Sequence, residues 1–200
     1  ANKIGQKVAS SKVTAYDNGN IPKAWGRLNF DDEGQPTQNN LLIENGILKG
    51  YLVDKRNGRM MNAKSTGSSR RQSYKYAPTS RMNSTFIANG TDTFEDIIKD
   101  TKYGLFAKKL GGGTVVPSTG EFNFAVLEGY MIEDGKLTHA VKGAMLIGNG
   151  KDILFEIDRV ANNLELGQGM CGAESGSIPV DVGQPTIRVK QITVGGLGDE

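Results

Sequence analysis

Residues Leu41-Leu-Ile-Glu-Asn-Gly-Ile-Leu-Lys-Gly-Tyr-Leu-Val53 read as two β-runs folded about Asn45-Gly46. A two-residue type I′ turn needs positive φ at both central positions, and Asn-Gly is the pair best suited to it. The pattern Ile43-Glu-Asn-Gly-Ile-Leu returns as Ile132-Glu-Asp-Gly-Lys-Leu, and each copy precedes a β-run and then helix-like sequence. Glycine supplies 27 of 200 residues, near twice the usual share of about 7%, which points to turns and bulges and not to a bundle. The fold class that follows is α+β: β-rich, mixed and antiparallel sheets with a few helices, arranged as two related halves.

Working outward, Lys7 to Tyr16 reads as a strand closed by Asp17-Asn-Gly19. Ile21 to Thr37 is turn-rich, with Trp25 expected to anchor it. Asp54 to Ala63 holds at best a short helix, broken by Gly58. Ser65 to Thr85 has no period and reads as a solvated loop, carrying Arg70, Arg71, Lys75 and Arg81 beside Tyr74 and Tyr76. From Thr93 the pattern is helical: Thr93-x-x-Asp96 resembles a capping box, and Gly104 stands where a C-terminal cap would. Gly111-Gly-Gly113 reads as a flexible segment. Strands are expected at Phe122 to Ile132, Lys136 to Val141, Ala144 to Ile147 and Thr186 to Val194, with a helix from Lys151 to Val160.

The length suits a single domain over 1–200 with a sizeable core. Lys plus Arg number 24 against 22 Asp plus Glu, a net charge of +2, so no overall field draws the chain to nucleic acid or an anionic membrane. One cysteine excludes an intramolecular disulfide framework and suits a reducing compartment, which makes cytoplasm the expected location. No apolar run reaches the roughly 18 residues of a spanning helix. The chain opens Ala-Asn-Lys-Ile and is expected to be a fragment of something longer.

That cysteine stands in Gly167-Gln-Gly-Met-Cys171-Gly-Ala-Glu-Ser-Gly176. Glycine at this density frees the backbone to approach a ligand, although a lone cysteine by itself behaves as a small hydrophobe. A nucleophilic cysteine needs a base, and the one histidine, His139, lies in an apparent strand. One cysteine and one distant histidine do not make a recognisable zinc set. Asp31-Asp-Glu33 reads as a solvated turn, and Gly111-Gly-Gly113 lacks the Gly-Lys-Ser/Thr of a phosphate loop. Composition and spacing stop at a β-rich domain able to bind something extended.

The ordered succession of motifs goes further. Gln6-Lys-Val-Ala-Ser10, Asp31-Asp-Glu-Gly34, Leu42-Ile-Glu-Asn-Gly46 with Lys49-Gly-Tyr51, Arg70-Arg-Gln-Ser-Tyr74, Pro78-x-x-Arg-Met-Asn-Ser-Thr85, Gly111-Gly-Gly113, Gly143-Ala-x-Leu-Ile-Gly148, Cys171-Gly172 and Val182-Gly-Gln-Pro-Thr186 together resemble the TldD/PmbA family. Within it the chain is similar to the C-terminal domain of the TldD-type subunit. The resemblance implies a zinc-dependent intracellular peptidase. Its metal is held by two histidines of a His-Glu-x-x-x-His helix, expected upstream of Ala1, and by the cysteine matching Cys171, while the glutamate of that motif serves as base. It implies peptides bound as extended strands, with Arg81, Asn83, Gly111, Gly112 and Gly113 as candidate substrate contacts, and a homodimer or a heterodimer with a PmbA/TldE-type subunit. No catalytic residue is expected in this chain, which should be inactive alone. After the cysteine, Ala173 replaces the family's lysine and Ser175-Gly176 replaces Gly-Gln. A non-catalytic peptide-binding or dimerisation module is the alternative, and nucleic acid and membrane are not expected partners.

Overall fold

The computed structural model describes residues 3–196. In chain order the elements are β1 (Ala15–Asn18), β2 (Asn39–Glu44), β3 (Ile47–Leu48), α1 (Lys55–Met61), β4 (Ser69–Arg70), β5 (Thr79–Ser80), β6 (Ser84–Ile87), α2 (Phe94–Lys99), β7 (Tyr103–Val116), β8 (Glu121–Glu133), β9 (Lys136–Val141), β10 (Met145–Asn149), α3 (Gly150–Glu156), β11 (Ile157–Val160), β12 (Glu165–Ala173), β13 (Gly176–Gln184), β14 (Ile187–Val189) and β15 (Thr193–Gly195). They form two compact units. The first takes residues up to Lys7, 13–89 and 164–185, and the second takes 8–12, 90–163 and the chain from 186.

The first unit is built on a six-stranded sheet in the order β12-β13-β6-β1-β2-β3, with β4 and β5 paired separately. Its neighbours are antiparallel except β13 and β6, which run parallel. The Asn45-Gly46 turn forms as expected, with φ of 49° and 83°, and the Gly46 N–H donates to the Val13 carbonyl at 2.8 Å. Val13, Val53, Ile178 and Val180 supply buried apolar side chains. Around them lie Asp17, Asp31, Asp54, Ser68, Ser69, Arg70, Arg81, Asn83, Ser84, Ser175 and Asp181, all buried and all in this unit.

The second unit has the sheet β15-β10-β8-β7 with β9 also on β8, and a β11-β14 ribbon; every pair is antiparallel. Asp134 and Gly135 turn at φ of 46° and 76°, so both copies of the repeated motif are hairpins of one kind. The sheets around them differ in order and direction, so the likeness is confined to the hairpins. Thr93 caps α2 by accepting from the Asp96 N–H at 3.1 Å, which satisfies a donor that the first helical turn leaves unpaired. The buried side chains here are apolar: Ile97, Ile98, Val126, Ile132, Ala144, Ile157, Val160 and Ala161.

Several local expectations change. Lys151 to Val160 is helical only to Glu156; Ile157 and Val160, both buried, belong to β11 and pair with β14, since β-branched side chains fit a pleated, covered surface. Thr186 to Val194 is divided between β14 and β15. Gly104 lies inside β7 and α2 closes at Asp100. Trp25, expected as an anchor, is 46% exposed. Of Lys7 to Tyr16, only the end enters β1. Gly111 to Gly113 are strand residues of β7, at positions where the register with β8 shifts. Ser65 to Thr85 is not a solvated loop: it contributes β4, β5 and the start of β6, and its Ser68, Ser69, Arg70, Arg81, Asn83 and Ser84 are buried.

Candidate functional site

Cys171 lies within the edge strand β12, opposite Ile178 of β13, and its free thiol is half-buried. The glycine-flanked segment is thus part of a β-hairpin. Gly167, Gly169 and Gly172 are in ladder register with Val182, Val180 and Ser177. The chain reverses between Ala173 and Gly176, where Gly176 takes φ +88°, the left-handed region that glycine enters without a Cβ penalty.

Three residues remote in sequence grip this hairpin. The Arg81 guanidinium donates through Nη2 to the Cys171 carbonyl and through Nη1 to Ser175 Oγ at 2.6 Å and the Gly176 carbonyl at 2.8 Å. Arg70 donates through Nη2 to the Pro179 carbonyl at 2.8 Å and through Nη1 to the Met82 carbonyl at 2.7 Å. Gln72 donates its N–H to the Ser175 carbonyl at 2.9 Å, and its Oε1 accepts from the Ser177 N–H at 2.8 Å. Burial draws the Arg70 pKa below the ordinary arginine value; the Arg81 charge acts the same way, and the Asp17 charge opposes it.

Buried carboxylates complete the interior. Asp17 accepts from the Asn83 N–H at 2.7 Å, Asn83 Nδ2 at 3.2 Å and Thr85 Oγ1 at 2.7 Å. Asp181 accepts from the Gly26 N–H at 2.7 Å and Ser84 Oγ at 3.3 Å, and its own N–H donates to the Asn83 carbonyl at 3.0 Å. These side-chain hydrogen bonds of Asp17, Asp181, Arg70 and Arg81 run to neutral groups, so each buried charge is solvated by fixed dipoles, as burial of an ion requires.

Of the residues expected from sequence, the structure joins Arg81 directly to Cys171, while Asn83 reaches the same sheet through Asp17 and Asp181. Gly111, Gly112 and Gly113 belong to the second unit; a Cβ on Gly113 would lie 2.1 Å from the Asn123 carbonyl oxygen, whereas one on Gly112 would meet nothing within 4 Å. His139 is exposed on β9. Asp31 is buried and accepts from the Glu33, Gln35 and Ser69 N–H groups, in place of the solvated turn expected there. The roles of Arg70, Gln72, Ser175, Asp17 and Asp181 have no local signature in the sequence, because their partners lie far along the chain.

Among the described residues no group of three Cys, His, Asp or Glu side chains is placed to hold a metal ion. The Cys171 thiol is, as thiolate, a donor of a kind that zinc accepts. No helix among the described residues is long and apolar enough to cross a membrane.

Residues 1–196 match the PmbA/TldA metallopeptidase C-terminal domain. The chain belongs to this family. A TldD homologue of Haemophilus influenzae, named a metalloprotease, is 46% identical over 196 residues, which are 97% of this chain and 41% of that protein. A zinc metalloprotease TldD homologue of Saccharolobus solfataricus is 30% identical over 168 residues, 84% of this chain and 38% of that one. Among solved structures, TldE from Thermococcus kodakarensis superposes with a TM-score of 0.79 at 28% identity, covering 98% of this chain and 42% of its own. The PmbA/TldA-type chain thus spans about two-fifths of the length of these relatives.

Proposed function

We propose that this chain supplies the C-terminal domain, and one zinc ligand, of a TldD-type metallopeptidase that cuts peptides held as extended strands. The observation that carries the reading is the half-buried free thiol of Cys171, fixed in a strand whose carbonyl and turn are clasped by Arg81, in a chain that matches the metallopeptidase family over its length. Thiolate is a good zinc ligand, and a catalytic zinc takes three protein ligands and leaves one position open. Bound zinc would lower the pKa of its water toward about 7 and polarise a carbonyl. Within this chain Cys171 holds the metal, and Arg81 and Asn83 act on the site through the strands they fasten. Gly111, Gly112 and Gly113 offer bare strand backbone to a peptide read by its main chain.

On this reading the other two ligands and the base lie outside the chain, which is inactive alone. It works in the cytoplasm, as a homodimer or beside a PmbA/TldE-type subunit, the latter in keeping with the likeness to TldE. The test is metal analysis and peptide hydrolysis with the full-length subunit and its Cys171→Ser variant. The expected result is about one zinc per wild-type subunit, with zinc and hydrolysis both lost in the variant. Full zinc occupancy in Cys171→Ser would refute the ligand role. Absence of hydrolysis in a wild-type subunit that binds no zinc would favour a non-catalytic binding or dimerisation module.

A further inference from the structure

We infer that Arg81 is the positioning residue for Cys171, holding the strand that carries the thiol against its turn. The inference rests on the reading of Cys171 as a zinc ligand. Three acceptors converge on one guanidinium: the carbonyl of Cys171 itself, the hydroxyl of Ser175 and the carbonyl of Gly176. They come from β12, the turn and the start of β13, so a single planar group spans both arms of the hairpin.

The grip falls on a strand at the sheet's edge. β12 is an edge strand with one neighbour, β13, and most of its residues are exposed, so packing does little to fix its course. An edge strand of this kind frays unless something other than the ladder restrains it. Arg81 is 5% exposed and Ser175 is fully buried, so the restraint works away from water, where each hydrogen bond is stronger.

Arginine is suited to this role and lysine is not. The guanidinium presents donors in a rigid fork, whereas an ammonium is a compact charge on a flexible stem. Groups that orient a ligand typically change metal affinity by about 10 to 100-fold when removed. The Ser175 hydroxyl is the one side-chain acceptor among the three contacts of the grip.

The experiment uses the full-length subunit and measures zinc affinity by competition with a chromophoric chelator, together with the thiolate-to-cobalt charge-transfer band of the cobalt-loaded protein. Arg81→Met and Arg81→Lys are expected to weaken zinc binding about 10 to 100-fold and to shift or diminish that band. Ser175→Ala should weaken binding by a smaller factor. Arg188→Met, which loosens the other unit without touching the hairpin, should leave affinity and band unchanged, separating positioning from general loss of stability. If Arg81→Met fails to fold, Arg81→Lys and Ser175→Ala carry the test.

Zinc affinity in Arg81→Lys and Ser175→Ala within about twofold of wild type, with an unchanged band, overturns the inference. So does an equal loss of zinc in Arg188→Met. A Cys171→Ser variant that keeps zinc and the band would instead sink the ligand reading beneath it, so the two failures are told apart.

Discussion

The Asn83 backbone N–H donates to Asp17 Oδ2 at 2.7 Å while the Asn83 side-chain amide donates to Asp17 Oδ1 at 3.2 Å, with both residues wholly buried. One carboxylate thereby ties β1 to the chain entering β6, and Asn83 passes the connection on through its carbonyl to the Asp181 N–H in β13. This chain of contacts links the middle of the first unit's sheet to the hairpin that carries Cys171.

Asp17→Ala is expected to cost about 3 to 5 kcal/mol, because it strands the two buried Asn83 donors and the half-buried Thr85 hydroxyl and takes away an opposite charge near buried Arg70. Asp17→Asn keeps the shape and one acceptor and should cost less. Urea unfolding of the two variants checks both the size and the order; equal, small effects would mean that the network contributes little.

Gly176→Ala should destabilise by about 1 to 2 kcal/mol from its left-handed backbone alone. The added Cβ would also lie 2.5 Å from Gln72 Cβ, so Gln72 must release the Ser177 N–H. Gly172→Ala, in the same hairpin, would place its Cβ no nearer than 3.9 Å to another group and should be close to neutral. Thermal unfolding of the pair separates conformation from composition.

Asp54 caps α1 by accepting from the Asn57 N–H at 2.7 Å and also accepts from the Ser80 N–H and hydroxyl. Burial pushes its pKa up, but the hydrogen bonds from Asn57 and Ser80 together outweigh this and hold it below the ordinary carboxylate value. Asp54→Ala should cost about 2 to 4 kcal/mol at neutral pH, the loss of a cap plus unpaired buried donors. Because the folded pKa is the lower one, this contribution is present above the unfolded pKa of about 3.9 and disappears as pH falls through the folded value. The gap between wild type and variant in urea midpoint should narrow accordingly.

In the second unit Arg159 bridges Asp92 and Asp100, and Arg188 bridges Asp158 and Asp100. Asp158 is held below its ordinary pKa chiefly by the Arg188 hydrogen bond, and Asp100 chiefly by Arg159. Burial pushes Asp92 up, but its hydrogen bonds from Arg159 and the Val160 N–H prevail and lower it. Ionised carboxylates are thus favoured in the folded state, so their support is complete above about pH 4 and lost on acidification. Arg188→Met should lower stability at neutral pH and flatten the decline below about pH 4. Stability curves with an unchanged acid slope would show that the network is not what titrates.

The parts of the fold legible in sequence are those decided within a few residues. Asn45-Gly46 and Asp134-Gly135 turn as expected because positive φ is a property of the dipeptide, and Thr93 caps α2 because donor and acceptor are three residues apart. The long β8 is likewise readable from its apolar run. Cys171 is identifiable from sequence as the residue of interest, but its surroundings are not: a segment rich in glycine and poor in apolar side chains has no local sign that it is a strand.

What the sequence determined by itself is the class of the chain, its two matched hairpins, the capped helix and, through an ordered set of motifs, the family. Only the tertiary structure decided that Ser68, Ser69, Arg70, Arg81, Asn83 and Ser84 of the polar run from Ser65 to Thr85 are interior and that the cysteine segment is an edge hairpin. The physical reason is that burying Arg70, Arg81 and Asn83 is tolerable only when acceptors and donors meet them, and those lie 109, 90 and 66 residues away in Pro179, Cys171 and Asp17. Local composition carries the cost of such burial; the compensation is visible only once the chain is folded.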